Sequence, residues 1–342
     1  MGTIVKADHY YTILENLWKP VNHELTIRNF NLKAMAPRSC VQIDNSVISS
    51  GFFNSFDYVL TDCDGVLWIG NDPIHNAAET LKALKSMGKH IIYVTNNSTK
   101  SRDDYLKKCE ALGFPATLEN IISTSYCAAA YLQSLNFKKK VYVLGSSGIT
   151  AELEKINIPH LPIGPDPVVD NWIQWLSEVK LDPEVGAVIV GFDQYISYPK
   201  LTKSASYLKN PDTLFIATNR DEQFPTDGKL TIPGAGTFVT SVEVVSGRKA
   251  TALGKPEKFM LDCIKMIHHD IDFSRSIMIG DRLNTDILLG TRHGLKTLFV
   301  GTGINSIDDV RQLEKSSDEN DQLLVPDYYL PCLSDLLQFI KT

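Results

Sequence analysis

The run Tyr58-Val59-Leu60-Thr61-Asp62-Cys63-Asp64-Gly65 decides how this chain folds. Tyr58–Thr61 are β-branched, aliphatic or aromatic, the composition of a buried strand. Asp62 and Asp64 lie two apart, so on extended backbone both carboxylates face one space at the strand end. Held ~4 Å apart, they would repel by about 4 kcal/mol at an effective dielectric of 20. Positive charge must therefore sit beside them, or one must hold a proton. A magnesium ion and a phosphate ester would use both options.

The surrounding chain has the composition of a globular protein. Its 342 residues exceed one typical domain, so two lobes are expected. A net charge of −6 argues against nucleic acid as the main partner, since a phosphate backbone requires a basic face. The six cysteines show no C-x-x-C spacing and read as reduced thiols in a cytoplasmic setting. No apolar run is long enough to span a membrane. Residues 1–50 lack the continuous apolar core of a signal peptide. Asp8, Glu15, Glu24 and Asp44 argue against a mitochondrial leader, which is poor in acids. These residues read as a loosely attached N-terminal extension.

Short apolar runs alternate with helical patterns, which predicts α/β architecture with a mainly parallel sheet. The expected strands are Tyr58–Thr61, His90–Thr95, Val141–Leu144, Ala187–Val190, Thr213–Ala217, Ser276–Ile279 and Lys296–Val300. Asn76–Met87 carries Ala77, Leu81 and Leu84 on one helical face and closes at Gly88. Ser101 with Asp104 opens a second helix. Pro256 suits the first turn of a third, with Phe259, Met260, Cys263 and Ile267 on its buried side. Turn signals thicken between Lys138 and Arg248, including Asn210-Pro211-Asp212 and Asp227-Gly228. The expected division is a core of 51–137 and 249–342 with 138–248 inserted, the interrupted sheet resuming at Ala250. The polar run from Asp308 to Asp321 reads as solvated surface.

Four clusters can meet at the carboxyl ends of parallel strands, where α/β proteins bind ligands. They are Asp62/Asp64, Thr95-Asn96-Asn97-Ser98, Gly254-Lys255-Pro256 and Gly280-Asp281-Arg282-Leu283-Asn284-Thr285-Asp286. Taken singly, each has a plain reading as a turn, a helix cap or a solvated lysine. Three of them directly follow strand-like runs, and together they match one chemistry. A carboxylate can attack phosphorus, and a second carboxyl can protonate the leaving oxygen and then activate water. Hydroxyl, amide and ammonium groups can hold the equatorial oxygens. Acidic oxygens suit magnesium.

These motifs, in this order, resemble the haloacid dehalogenase (HAD) superfamily of phosphatases. They are most similar to the branch with phosphoglycolate phosphatase, pyridoxal phosphatase and 4-nitrophenylphosphatase activities. The likeness runs from about Ser55 to the C-terminus and includes Gly191-Phe192-Asp193, Thr218-Asn219-Arg220-Asp221 and Pro233-Gly234-Ala235-Gly236-Thr237. The resemblance implies a Rossmann-like core with an inserted α/β cap of the C2 type. Lys255 lies 160 positions after Thr95, room enough for that cap. It implies Asp62 as nucleophile and Asp64 as general acid/base, with Thr95, Asn96 and Asn97 holding phosphate and substrate. It implies Lys255 as the steadying ammonium, Mg2+ held by Asp62, Asp64 and Asp281, and Asp286 in support behind them. A homodimer formed through the caps is also implied.

The expected activity is magnesium-dependent hydrolysis of small phosphorylated metabolites of the phosphoglycolate or glycerol 3-phosphate class, with 4-nitrophenyl phosphate as an artificial substrate. Pyridoxal phosphate and phosphotyrosine are the alternative substrates. Where pyridoxal phosphatases place a histidine over the substrate, Phe224 stands in Glu222-Gln223-Phe224-Pro225 and offers no hydrogen bond. Dehalogenase chemistry needs no second acid, yet Asp64 supplies one. A catalytically silent scaffold on the same fold is the reading from another class; against it, every position the chemistry needs holds a competent side chain. Cys63 should point to the opposite side of the strand from the carboxylates and reads as a small core residue. The histidines show no metal-ligand spacing.

Overall fold

The computed structural model describes residues 37–167, 171–224 and 230–340. Most of the N-terminal extension and the Pro225 and Asp227-Gly228 positions lie outside those residues. In chain order the strands begin with β1 (Val41–Gln42), β2 (Tyr58–Thr61), β3 (Trp68–Ile69) and β4 (Asp72–Pro73). They continue with β5 (His90–Thr95), β6 (Ile121–Ser123), β7 (Lys140–Leu144), β8 (Val185–Val190) and β9 (Leu214–Ala217). The last are β10 (Thr251–Ala252), β11 (Ser276–Gly280), β12 (Lys296–Val300) and β13 (Tyr328–Leu330).

The main sheet runs β1-β13-β12-β11-β2-β5-β6, every neighbouring pair parallel. Parallel sheets are covered on both faces, which is why their strands read as continuous apolar runs. The period of two assigns the faces. Val59, Ile91 and Tyr93 enter one apolar cluster, beneath the helix Ala77–Ser86 and the aromatic group Phe52, Phe53 and Phe56. Leu60, Ile92 and Val94 enter the other, against the helices Thr124–Ser134 and Phe259–Ile267. Cys63 shares the cluster of Val59 and is fully buried, on the parity expected for it. Burial pushes its thiol well above the ordinary range, so the reactive thiolate is suppressed.

A second sheet of four parallel strands has the order β10-β9-β8-β7. Its Val141, Val143, Ala187, Ile189 and Ile216 join the cluster already holding Leu60 and Ile92. Its Tyr142, Leu144, Val188, Val190 and Phe215 form a separate cluster on the opposite face. The two sheets therefore share one apolar layer.

Three local expectations need correction. Thr251–Ala252 pairs with β9, so the main sheet does not resume at Ala250; it resumes at β11. Main-chain pairing with Ile216 and Ala217, not the composition of two residues, decides that placement. Pro256 does not sit in a helical first turn. The Glu257 N–H closes a turn on the Gly254 carbonyl, and the helix begins at Phe259. The end of the extension is integrated: β1 pairs with β13, and Cys40 and Ile43 are buried. A two-residue strand carries no readable period, so sequence pattern could not reveal it.

Candidate active site

The topology gathers the site. β2 lies between β11 and β5, and the segments after all three open at the same sheet edge. The Asp62 N–H donates to the Ile279 carbonyl at 2.9 Å, extending the β2–β11 ladder one residue into the loop. The chain then turns tightly. The Leu67 N–H reaches the Cys63 carbonyl at 2.8 Å, and Gly65 has φ +91°, the left-handed region that favours glycine. A Cβ on Gly65 would also stand 2.6 Å from an Asp281 carboxylate oxygen. This turn brings the Asp62/Asp64 loop against the Asp281 loop.

At the centre lies a buried ammonium among carboxylates. Lys255 Nζ contacts Asp62 Oδ1 at 2.5 Å and Asp286 Oδ1 at 2.7 Å, and donates to the Val94 carbonyl at 2.9 Å. Burial alone would lower this lysine's pKa, but Asp286 and Asp62 outweigh it and hold the ammonium firmly charged. Asp62, Asp281 and Asp286 each offer an oxygen, and the three oxygens lie within 4.8 Å of one another. Burial, then the charges of Asp62 and Asp286, push Asp281 well above the carboxylate range. Burial raises Asp286 to about 7, with Lys255 opposing. Three buried carboxylates thus gather around one buried ammonium. An all-oxygen donor set with excess negative charge fits a hard divalent cation. Asp286, expected only as support behind the ligands, stands within the cluster and is ion-paired to Lys255.

Asp64 is fixed from two sides. Trp68 Nε1 donates to one carboxylate oxygen at 2.9 Å and Asn97 Nδ2 to the other at 3.3 Å. Burial and the Asp62 charge raise its pKa, favouring the protonated acid. Thr95 is buried at the end of β5, its hydroxyl accepting the Asn97 N–H at 3.1 Å. Asn96 is occupied in a way its motif did not announce. Its Oδ1 accepts the Lys255 N–H at 2.7 Å, while Nδ2 donates to the Lys255 carbonyl at 3.1 Å and Asp221 Oδ1 at 2.9 Å. Its side chain clamps the Lys255 backbone, and Lys255 is in turn aimed at Asp62.

Asp62, Asp64, Thr95, Asn96, Asn97, Phe224, Lys255 and Asp281 all line one cavity of about 50 Å³. Asp286 lies behind it. Phe224 closes the outer side, edge-on to Phe192 with ring centroids 4.9 Å apart. Asp221 and Arg282, quoted above within motifs but given no role, also line the cavity. Arg282 ties the loop after β11 to the segment after β9. It pairs with Glu222, lies 3.9 Å from Asp221 and donates to the Gln223 carbonyl at 3.4 Å. A usable signal was present: a Thr-Asn pair stands at the end of both strands, Thr95-Asn96 at β5 and Thr218-Asn219 at β9. Asn219 Nδ2 donates to the Asn96 carbonyl at 2.6 Å, joining the two loops.

Comparison with known proteins agrees with this geometry. Residues 59–159 match the family described as haloacid dehalogenase-like hydrolase, and residues 252–331 match the HAD-hydrolase-like family. A glycerol-3-phosphate phosphatase of Gallus gallus is 41% identical over 317 residues, covering 91% of this chain and 100% of the relative. Phosphoglycolate phosphatase 1A, chloroplastic, of Arabidopsis thaliana is 39% identical over 93% of this chain and 86% of its own length. Among solved structures, p-nitrophenyl phosphatase from Archaeoglobus fulgidus superposes with a TM-score of 0.69 at 25% identity, covering 83% of this chain and 99% of that one. With its strand-end carboxylates, buried lysine and full-length relatives, this chain belongs to the haloacid dehalogenase-like hydrolase family, among its phosphatases.

Proposed function

We infer that this chain is a phosphomonoesterase acting on small phosphorylated metabolites through an aspartyl phosphate on Asp62. The carrying observation is the Lys255–Asp62 contact of 2.5 Å at the wall of a cavity that Asp64 also lines. One oxygen of Asp62 is held by the ammonium, leaving the other to attack phosphorus. Asp64, oriented by Trp68 and Asn97 and raised in pKa, gives its proton to the departing alcohol oxygen. Water then attacks the acyl phosphate, with Asp64 taking a proton from it, and phosphate and free Asp62 are released. The Thr95 hydroxyl and Lys255 are placed to hold the equatorial phosphoryl oxygens.

Mg2+ is the cation we propose, held by the carboxylates of Asp62 and Asp281 and the Asp64 carbonyl. It supplies positive charge against the developing charge of the phosphoryl group. The names of the relatives favour glycerol 3-phosphate or phosphoglycolate as the substrate class, with 4-nitrophenyl phosphate as an artificial ester. The apolar Phe224 at the outer wall agrees with a substrate that needs no hydrogen bond there. We propose that the lobe carrying the second sheet, 138–248 with β10, acts as the cap. Its exposed Val244 and Val245 support pairing of two chains through it. Six free cysteines support a reducing, cytoplasmic setting.

The test is phosphate release from glycerol 3-phosphate and phosphoglycolate with and without magnesium, for the wild type and Asp62→Asn. The wild type should turn over only with the metal. The variant should keep its circular dichroism spectrum and lose turnover; wild-type rates from Asp62→Asn would remove the nucleophile assignment.

A further inference from the structure

A second cavity, of about 250 Å³, adjoins the first and shares Asp64, Asn97 and Phe224 with it. If Asp64 protonates the leaving oxygen, as proposed above, the organic part of the substrate departs on the side of Asp64 into this space. Its remaining walls hold two cations. Lys108 projects from the helix Arg102–Ala111, its Nζ 4.1 Å from the Trp68 ring centroid and 2.7 Å from the Gly70 carbonyl. Lys100 lies in the loop after β5, and its ammonium has no hydrogen bond or ion pair among the described residues. Burial lowers the Lys108 pKa, the neighbouring Asp64 charge opposes that shift, and Lys100 adds a weaker repulsion. Asp64 is the one carboxylate among the residues lining this cavity. The cavity wall thus carries two ammonium groups against a single carboxylate.

We propose that this cavity is an anion subsite, in which Lys100 and Lys108 bind a negatively charged group on the leaving-group side of the substrate. The group is a carboxylate or a second phosphate on a short carbon chain. The subsite selects phosphoesters of anionic alcohols over those of neutral ones, resting on the phosphatase reading of the first cavity. Lys108 is anchored by the indole and the Gly70 carbonyl, so its charge is held in place before substrate arrives. Lys100 closes on the same group from the opposite loop. Attraction of this kind is weakened by salt.

The experiment compares phosphoglycolate with 2-hydroxyethyl phosphate, which replaces the carboxylate by a hydroxymethyl group and keeps the ester. A third substrate, 3-phosphoglycerate, keeps a carboxylate on a longer chain, and glycerol 1,3-bisphosphate supplies a second phosphate instead. Steady-state kcat/KM is measured for the full chain and for Lys100→Met, Lys108→Met and Lys108→Arg. The wild type should prefer phosphoglycolate or another anionic ester to 2-hydroxyethyl phosphate by tenfold or more. Each Met variant should cut that ratio about tenfold, mainly through KM, while Lys108→Arg retains it. A merely structural role for either lysine would lower all rates together and leave the ratio unmoved. An unchanged ratio in both Met variants, with phosphate still released, overturns the subsite and leaves the phosphatase reading standing. Release from none of the esters overturns both.

Discussion

Replacing Lys255 by Met removes the charge on which the interior of this site depends. Its ammonium lies 2.5 Å from Asp62 and 2.7 Å from Asp286, with 3% of the residue exposed. At an effective dielectric of 20, each contact is worth about 6 kcal/mol before desolvation is subtracted. Desolvation offsets most of that, and removing one partner of a buried pair costs about 3–5 kcal/mol net. Against a total stability of about 5–15 kcal/mol, the loss is severe but survivable. The pH dependence distinguishes charge from packing. Asp286 titrates at about 7 in the folded chain against an ordinary 3.8, so folding binds a proton there as pH falls. A raised carboxylate leaves stability intact below its unfolded pKa and erodes it as pH rises through the folded value. Without Lys255 the opposing attraction disappears, and Asp286 rises further. The cost of Lys255→Met should therefore be smaller near pH 5, where Asp286 is neutral and only the Asp62 contact is lost, than near pH 8.5. Urea unfolding followed by tryptophan fluorescence, with EDTA present, measures this directly. A variant as stable as the wild type near pH 8.5, or one that loses more near pH 5, would refute the charge argument.

Gly303→Ala tests the proposed metal site through backbone space. An added Cβ would stand 1.7 Å from an Asp281 carboxylate oxygen, so that carboxylate must move. The magnesium concentration for half-maximal phosphate release should rise at least tenfold; an unaltered titration would separate Asp281 from the cation. Trp68→Phe keeps an aromatic ring and deletes the 2.9 Å bond to Asp64. That bond favours the charged acid, so its loss raises the Asp64 pKa, and the alkaline limb of the pH–rate profile should move upward. A limb that stays fixed would divorce it from Asp64. Glu243 is 5% exposed and accepts from Arg220, Lys249 and the Ala250 N–H. Burial alone would raise its pKa, but those partners win and hold it at about 2 against 4.5. It stabilises the fold above pH 4.5, and the effect is lost as pH falls toward 2. Glu243→Gln should destabilise the chain near pH 7 and flatten the acid limb of its unfolding curve; equal limbs in both proteins would show the network to be inert.

Several elements were legible because their residues repeat at a period. Tyr58–Thr61, His90–Thr95 and Lys296–Val300 were read to the residue, since each alternates between two buried faces. Ser101 and Asp104 form the reciprocal cap their spacing implied. Val41–Gln42 and Tyr328–Leu330 are too short to show any period, and the same shortness puts Thr251–Ala252 in the wrong sheet when read from sequence. The candidate site was legible as residue types at strand ends. The clamp by Asn96 was not, because its side chain acts on Lys255, 159 positions away.

Composition and order alone determined that carboxylates, a Thr-Asn-Asn run and a lysine would stand at the ends of apolar strands. Pattern along a chain can assign a residue to a strand end because alternation and turn chemistry are local. Tertiary structure decided which of these groups touch, joining Lys255 to Asp62 across 193 positions and drawing Asp286 into the cluster. It also decided their ionisation, since burial and the nearest charges set a pKa and neither exists until the chain has closed.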